Sequence, residues 1–155
     1  MEEFLTSIES AREELKRVDH LVYVSLKYTR TADVIKHVIK RMMSTIDFCI
    51  VALLEHEKAK ELIETEEISK APTQRAEIAR EIFKNDETIN KMIDFFLLLK
   101  KIDKAQYTKS QEFRRHVALT ASLENGILYE VNIDVVTEKY QELRGFVDYV
   151  SGLVV

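Results

Sequence analysis

Basic side chains cluster in two stretches of the chain. Residues 100–116 carry six Lys and Arg against two acids, and residues 27–41 carry five against one. Such side chains neutralise phosphates, and aromatic rings between them can stack on bases. If the two stretches are neighbours in the fold, they predict a nucleic-acid-binding surface that includes Tyr28, Tyr107 and Phe113. The candidate binding residues are Lys36, Lys40, Arg41, Lys100, Lys101, Lys104, Arg114, Arg115 and His116.

The same charges have a structural explanation. A chain with a net charge of −4 must still place its basic residues somewhere. Lysines at the end of a helix also complement the negative end of its dipole. The sequence alone leaves both explanations open.

The spacing of the four histidines does not predict a metal site. Helical di-iron proteins use Glu-x-x-His on inward faces, and no glutamate stands three residues before any histidine here. His-x-x-x-His and Cys-x-x-Cys are also missing, so ligands would have to come from separate helices. No glycine-rich phosphate loop, G-x-S-x-G or GKS/GKT motif occurs. We therefore expect no metal and no other cofactor.

Composition argues against secretion and membrane insertion. Cys49 is the only cysteine, and its apolar neighbours predict a small buried side chain rather than a reactive thiol. The N-terminus, MEEFLTSIESAREEL, is acidic and periodic, unlike a secretory signal. No unbroken apolar run approaches the roughly 20 residues that cross a bilayer. These features predict a cytoplasmic protein without a membrane segment.

Helical periodicity dominates the chain. Three glycines and one proline among 155 residues leave little punctuation for many short strands. We expect a mainly α, single-domain bundle of four to five helices over residues 1–155. The first helix should run from Glu2 to about Tyr28, because apolar residues from Phe4 to Val22 recur in steps of four and three.

Capping residues mark the next three helices. Thr31 can cap a second, central helix, which we expect to continue to about Ile63. Pro72 suits the first turn of a third helix over roughly 72–83, since that position needs no N–H donor. Asp86 can cap a fourth helix, although the third and fourth could also form one bent helix.

The stretch VALTASLENGILYEVNI, residues 117–133, can be a helix that stops at Gly126 or a β-hairpin. A hairpin with the loop Glu124-Asn125-Gly126 separates an apolar face from a mostly polar one. The apolar face would hold the pairs Leu123/Ile127, Ala121/Tyr129, Leu119/Val131 and Val117/Ile133. This separation favours a short hairpin over about 115–133. Asp134 would then cap the last helix.

Two segments resemble known helical proteins. VYVSLKYTRTADVIKHVIKRMMSTIDFCIVALLE and IDFFLLLKKIDKAQYTKSQEFRRHVAL look like small archaeal helical proteins of unknown function and, more loosely, the HEPN superfamily of helical bundles. HEPN ribonucleases carry an Arg followed a few residues later by a His, late in the bundle and completed across a dimer. The resemblance implies that Arg30 clamps phosphate and that His37, with six residues between the two, acts as acid or base.

The position of this pair departs from the HEPN pattern. Arg30 and His37 lie at the start of the second helix, whereas the late Arg114 and Arg115 directly precede His116. Inactive relatives that act as binding modules are therefore the closer analogy.

We draw two hypotheses of function from these observations. The first is a non-enzymatic protein that self-associates, for example as a dimer, or binds a protein partner. The long apolar seams of the first and last helices support it, because they offer more apolar surface than one short core requires. The second is an RNA-binding protein that uses the basic residues above. An RNA-cleaving form would rely on Arg30 and His37.

Overall fold

The computed structural model describes residues 3–60, 68 and 70–155, and this part holds five helices and one small sheet. The helices are α1 (Glu3–His20, continued by a π-helical turn, Leu21–Ser25, and an α-helical turn, Leu26–Tyr28), α2 (Ala32–Ala59), α3 (Pro72–Ile82), α4 (Glu87–Lys104) and α5 (Ile133–Leu153). The strands are β1 (Tyr107–Ser110), β2 (Ala118–Ser122) and β3 (Leu128–Asn132). The predicted mainly α fold is confirmed. None of the described helices is long and apolar enough to cross a membrane.

Helix α2 is the centre of the bundle, as predicted. It packs against each of the other four helices and against β2, and its buried residues recur along its whole length from Ala32 to Glu57. Cys49 lies within this core, and burial raises the pKa of its thiol to about 12. The described part of α2 ends at Ala59, so its predicted end at Ile63 lies outside the described residues.

Helix α1 packs along α2 through the predicted seam. Ile8, Ala11, Leu15, Val18 and Val22 are all buried. The π-helical turn that follows was not predicted, because a wider turn leaves no simple mark in apolar spacing. The predicted start at Glu2 lies outside the described residues.

Three of the predicted helix starts are confirmed. The Val34 N–H donates to Thr31 Oγ1 over 3.2 Å, and the Ile89 N–H donates to Asp86 Oδ1 over 3.0 Å. Pro72 is the first residue of α3. Since a turn separates Ile82 from Glu87, α3 and α4 are two helices rather than one bent helix.

The predicted cap of the last helix is wrong. Asn132, not Asp134, caps α5, because its Oδ1 accepts from the Val135 N–H over 2.9 Å. Strand β3 runs directly into the helix. Its last residue, Asn132, therefore takes the N-cap position just before the first turn. Asp134 lies within that turn and pairs with Arg115 at 2.8 Å.

The hairpin is confirmed, with the predicted register. Leu119 lies opposite Val131 and Ala121 opposite Tyr129, and Asn125 and Gly126 both have positive φ in the loop. The strands are shorter than the predicted span of 115–133, since Val117 precedes β2 and Ile133 begins α5. Ile127 also departs from the predicted apolar face, because it is 56% exposed.

The third strand of the sheet was not predicted from the sequence. Strand β1 pairs antiparallel with β2, which gives the order β1-β2-β3. Its sequence, YTKS, is short and polar and therefore has none of the apolar alternation that predicts a strand.

We predict that Asn132→Ala lowers the free energy of unfolding by about 1 kcal/mol, because it leaves a first-turn amide of α5 without its acceptor. Asp134→Ala is the matched control, since that carboxylate forms an exposed ion pair and, as a first-turn acid, contributes less than a side-chain cap. Urea denaturation followed by circular dichroism measures both variants. Equal losses would contradict the assignment of the cap to Asn132.

We predict that the protein loses stability at high pH because of Tyr140. Its hydroxyl donates to Asp19 Oδ2 over 2.7 Å, and burial, followed by this contact, raises its pKa from 10.0 to about 12. The folded state therefore favours the neutral phenol. The resulting stabilisation is complete below pH 10 and is lost as the pH rises towards 12.

Urea denaturation at pH 9 and pH 11.5 tests this expectation. The wild type should lose more stability between the two pH values than Tyr140→Phe, which has no phenol at this position. The same loss in both proteins would contradict it.

Candidate functional site

The two basic stretches are neighbours in the fold. The loop between β1 and β2, residues 111–117, lies against the residues that lead into α2. The Phe113 N–H donates to the Arg30 carbonyl over 2.6 Å, and the Ala32 N–H donates to Glu112 Oε2 over 3.1 Å. These two contacts attach the β1–β2 loop to the start of α2.

The physical reason for this attachment is the positive end of the α2 dipole. The first amides of a helix have no intrahelical acceptor, and a carboxylate beside them is stabilised. Glu112 accepts from the Ala32 N–H and Thr31 from the Val34 N–H. Asp33 lies in the same turn and contacts Lys109 at 3.1 Å, and this contact raises the pKa of the lysine.

The backbone of the β1–β2 loop is strained. Gln111 has φ 54° and Phe113 has φ 66°, in the left-handed region that costs a residue with a Cβ roughly 1–2 kcal/mol. Hydrogen bonds hold this conformation, because the Arg114 N–H donates to the Gln111 carbonyl and the Val117 N–H to the Arg114 carbonyl, both over 3.0 Å. The loop therefore has a defined shape.

This loop presents an aromatic ring to solvent. Phe113 is 75% exposed. The side-chain nitrogen of Lys27 lies 5.9 Å from the centre of the Tyr28 ring. We call Tyr28 and Phe113, with the neighbouring Lys27 and Arg114, the Tyr28–Phe113 surface.

Several of the predicted nucleic-acid-binding residues are bound within the fold. The side-chain nitrogens of Lys36 and Lys40 on α2 lie 3.3 and 3.4 Å from Asp103 Oδ1 on α4. Both contacts are ion pairs, and neither has the geometry of a hydrogen bond to that oxygen. Lys36 also donates to the Asp103 carbonyl over 2.5 Å. Lys100 donates to the Thr73 hydroxyl of α3.

Lys40, Lys100 and Asp103 border a groove of about 240 Å³ between α2, α3 and α4. A fourth charged group in this groove, Asp47, is bound by Arg75 at 2.7 Å. The charged side chains that border the groove therefore form contacts between helices.

The remaining predicted residues are divided among different faces. Arg41 turns towards α1, where it contacts the buried Glu14 at 3.2 Å, and Arg115 pairs with Asp134 of α5. Of the nine predicted binding residues, Lys101, Lys104, Arg114 and His116 stay exposed without a hydrogen-bonding or ionic partner among the described residues. Five of the nine predicted binding residues, Lys36, Lys40, Arg41, Lys100 and Arg115, therefore have partners within the fold.

The predicted catalytic pair remains a prediction. His37 is exposed on α2, and Arg30 is half-buried in the connection before it. Arg30 Nε is buried and has no hydrogen-bond partner in the described part of the chain. Among the described residues, no group of three or more His, Cys, Asp or Glu side chains is placed to hold a metal ion.

Comparison with known proteins adds no functional neighbour. No protein-family model matches the chain, and neither curated proteins nor solved structures give a significant match. The resemblance to HEPN bundles therefore stays a prediction.

The sequence pattern predicts Phe113 as an aromatic residue among bases, but it does not reveal the two features that position the ring. These are the contact of Glu112 with α2 and the strained backbone of the loop. Glu112 is separated from Ala32 by 80 residues, so no local pattern could have revealed the contact.

We predict that Glu112→Ala lowers the free energy of unfolding by about 1 kcal/mol, because a first-turn amide of α2 loses its charged acceptor. Amide hydrogen exchange should also become faster in residues 111–117. Glu124→Ala is the matched control, since Glu124 is an exposed glutamate in another loop. If the control has the same effect, Glu112 does not hold the loop.

Proposed function

We propose that this chain is a non-enzymatic binding protein that docks a protein partner through the Tyr28–Phe113 surface. The observation that carries the proposal is the combination found at Phe113. A bulky residue adopts a left-handed backbone conformation while its ring remains 75% exposed.

Strained backbone persists only where the surroundings enforce it, and such residues concentrate at binding sites. Within the described chain, burial of the Phe113 ring does not offset this strain, because the ring is mostly in water. A partner that covers the ring would gain the apolar burial that folding leaves unused. Rigid aromatic side chains and arginine are also the residue types that contribute most to binding at interfaces.

The charges around the rings suggest the chemistry of the partner. Lys27 and Arg114 are the nearest cations to Tyr28 and Phe113 in sequence, and both are exposed. We therefore expect a partner surface with an apolar group flanked by carboxylates. The unpaired, buried Cys49 supports the expected location in a reducing cytoplasm.

RNA binding is the second candidate function, and the exposed Lys101, Lys104, Arg114 and His116 favour it. Aromatic rings beside such cations bind single strands by stacking and by neutralising phosphates. The ion pairs of Lys36, Lys40, Arg41 and Arg115 count against it, because phosphates would have to compete with carboxylates already in place.

The variant Phe113→Gly distinguishes an effect on partner binding from an effect on the free energy of unfolding. Glycine adopts positive φ without strain, so we expect the variant to be as stable as the wild type or more stable by up to about 1 kcal/mol. Binding to the partner should fall by a factor of ten or more, as for the loss of an aromatic anchor. Urea denaturation and affinity for a panel of acidic, aromatic peptides give the two readouts.

Leu128→Ala is the matched control, because Leu128 is 67% exposed on β3, outside the proposed site. It should leave peptide binding unchanged. Equal binding by wild type and Phe113→Gly would contradict the proposal. Sedimentation velocity on the same proteins shows whether the partner is a second copy of this chain.

Fluorescence anisotropy with a labelled single-stranded RNA at about 50 and 200 mM salt tests the second candidate. Six or more phosphate contacts should weaken binding about a thousandfold over this range. Cleavage of the RNA that is lost in His37→Ala would support the nuclease form. No binding at the lower salt concentration would reject RNA as the ligand.

A further inference from the structure

Strand β1 forms one edge of the sheet and is open to solvent. The strand order is β1-β2-β3, so β1 has a partner strand on one side only. Thr108, Lys109 and Ser110 are all exposed. An edge strand of this kind presents unpaired backbone N–H and C=O groups that can pair with another extended segment.

The register shows which residues present these groups. The Ser122 N–H donates to the Gln106 carbonyl over 2.8 Å, so this pair is hydrogen-bonded. Opposite pairs in an antiparallel ladder alternate between hydrogen-bonded and non-hydrogen-bonded. Thr108 and Ser110 therefore bond to β2, whereas the N–H and C=O groups of Tyr107 and Lys109 point away from it.

The outward groups of Tyr107 and Lys109 have no backbone hydrogen bond elsewhere in the described residues. They form a row of free donors and acceptors at the edge of the sheet. Strand addition uses such a row for affinity, while side-chain contacts beside it provide specificity.

The charges next to this edge select an acidic segment. Lys104 lies just before β1 and Arg114 follows in the β1–β2 loop, and both are exposed without an ionic partner among the described residues, whereas Lys109 within β1 already pairs with Asp33. The nearby carboxylates of Asp33 and Asp103 already contact lysines. A lysine on an edge strand also discourages pairing with strands that lack negative charge.

The other edge of the sheet is less suitable. By the same alternation, Leu128 and Glu130 of β3 point their backbone groups away from β2, since the Leu123 N–H donates to the Ile127 carbonyl. Glu130 is exposed there, and Glu124 lies in the preceding turn. These glutamates would repel an acidic segment.

We propose that the edge of β1 binds an extended acidic segment of the protein partner as a fourth strand. An apolar side chain of that segment would contact Phe113, which follows β1 by three residues. The inference rests on the proposed function and specifies how the partner is recognised. Backbone pairing provides affinity, the basic side chains select acidic sequences, and the Phe113 ring selects an apolar residue.

Lys109→Pro tests the backbone contact. Proline lacks an N–H and is tolerated on an edge where that group faces solvent, so the ladder to β2 should remain intact. Lys109→Ala is the matched control, because it removes the charge and keeps the N–H. Circular dichroism and thermal unfolding confirm that both variants fold.

The probe is the peptide EVEVEVEF-amide with fluorescein coupled to its N-terminal amine, and the readout is anisotropy at two salt concentrations. Loss of one backbone hydrogen bond should weaken binding by about tenfold in Lys109→Pro. Lys109→Ala should bind only a few times more weakly than wild type, with a smaller dependence on salt. A peptide with lysine in place of glutamate should not bind.

The outcomes distinguish this inference from the proposed function. If Phe113→Gly weakens peptide binding and Lys109→Pro does not, the Tyr28–Phe113 surface is the site and strand addition is wrong. If neither variant changes binding, or the peptide does not bind at 1 mM, roughly the weakest affinity expected of a specific site, the strand proposal is wrong. Steeply salt-dependent RNA binding that Lys109→Pro leaves unchanged would overturn both. Self-association lost in Lys109→Pro would identify a second copy as the occupant instead of an acidic partner.

Discussion

The first amides of α2, which the helix cannot satisfy with its own backbone, are the constraint on which the proposed binding surface depends. A central helix that packs against every other helix begins with N–H groups that its own backbone cannot satisfy. Thr31 supplies one acceptor locally, and Glu112 supplies another from 80 residues further along the chain. The carboxylate thereby brings the β1–β2 loop to the end of the bundle, and the loop carries Phe113 with it.

In the rest of the structure, charged side chains mainly form ion pairs between helices. The buried Glu14 joins α1 to α2 through Arg41, Asp103 joins α4 to α2 through two lysines, and Asp47 joins α2 to α3 through Arg75. Removal of one partner from a buried pair costs much more than removal from an exposed pair. A count of basic residues therefore overestimates the charge that is free to bind a ligand.

The small sheet links the bundle to the proposed binding surface. Its apolar face, with Leu119, Ala121 and Val131, is buried in the core, while β1 extends beyond that core and is mostly exposed. A strand that contributes little to burial would be poorly maintained by packing alone. Pairing with β2 and attachment of the following loop to α2 hold it in place.

The sequence by itself determined the features that depend on local chemistry. Apolar periodicity located the helices, capping side chains marked the starts of α2 and α4, and alternation about Gly126 predicted the hairpin and its register. Tertiary structure decided the cap of α5, where a strand leads directly into the helix, and the existence of β1, which depends on pairing with β2. It also decided which basic residues remain free, because an ion pair such as Arg41 with Glu14 joins residues on different helices. These contacts depend on three-dimensional proximity, which local sequence patterns do not encode.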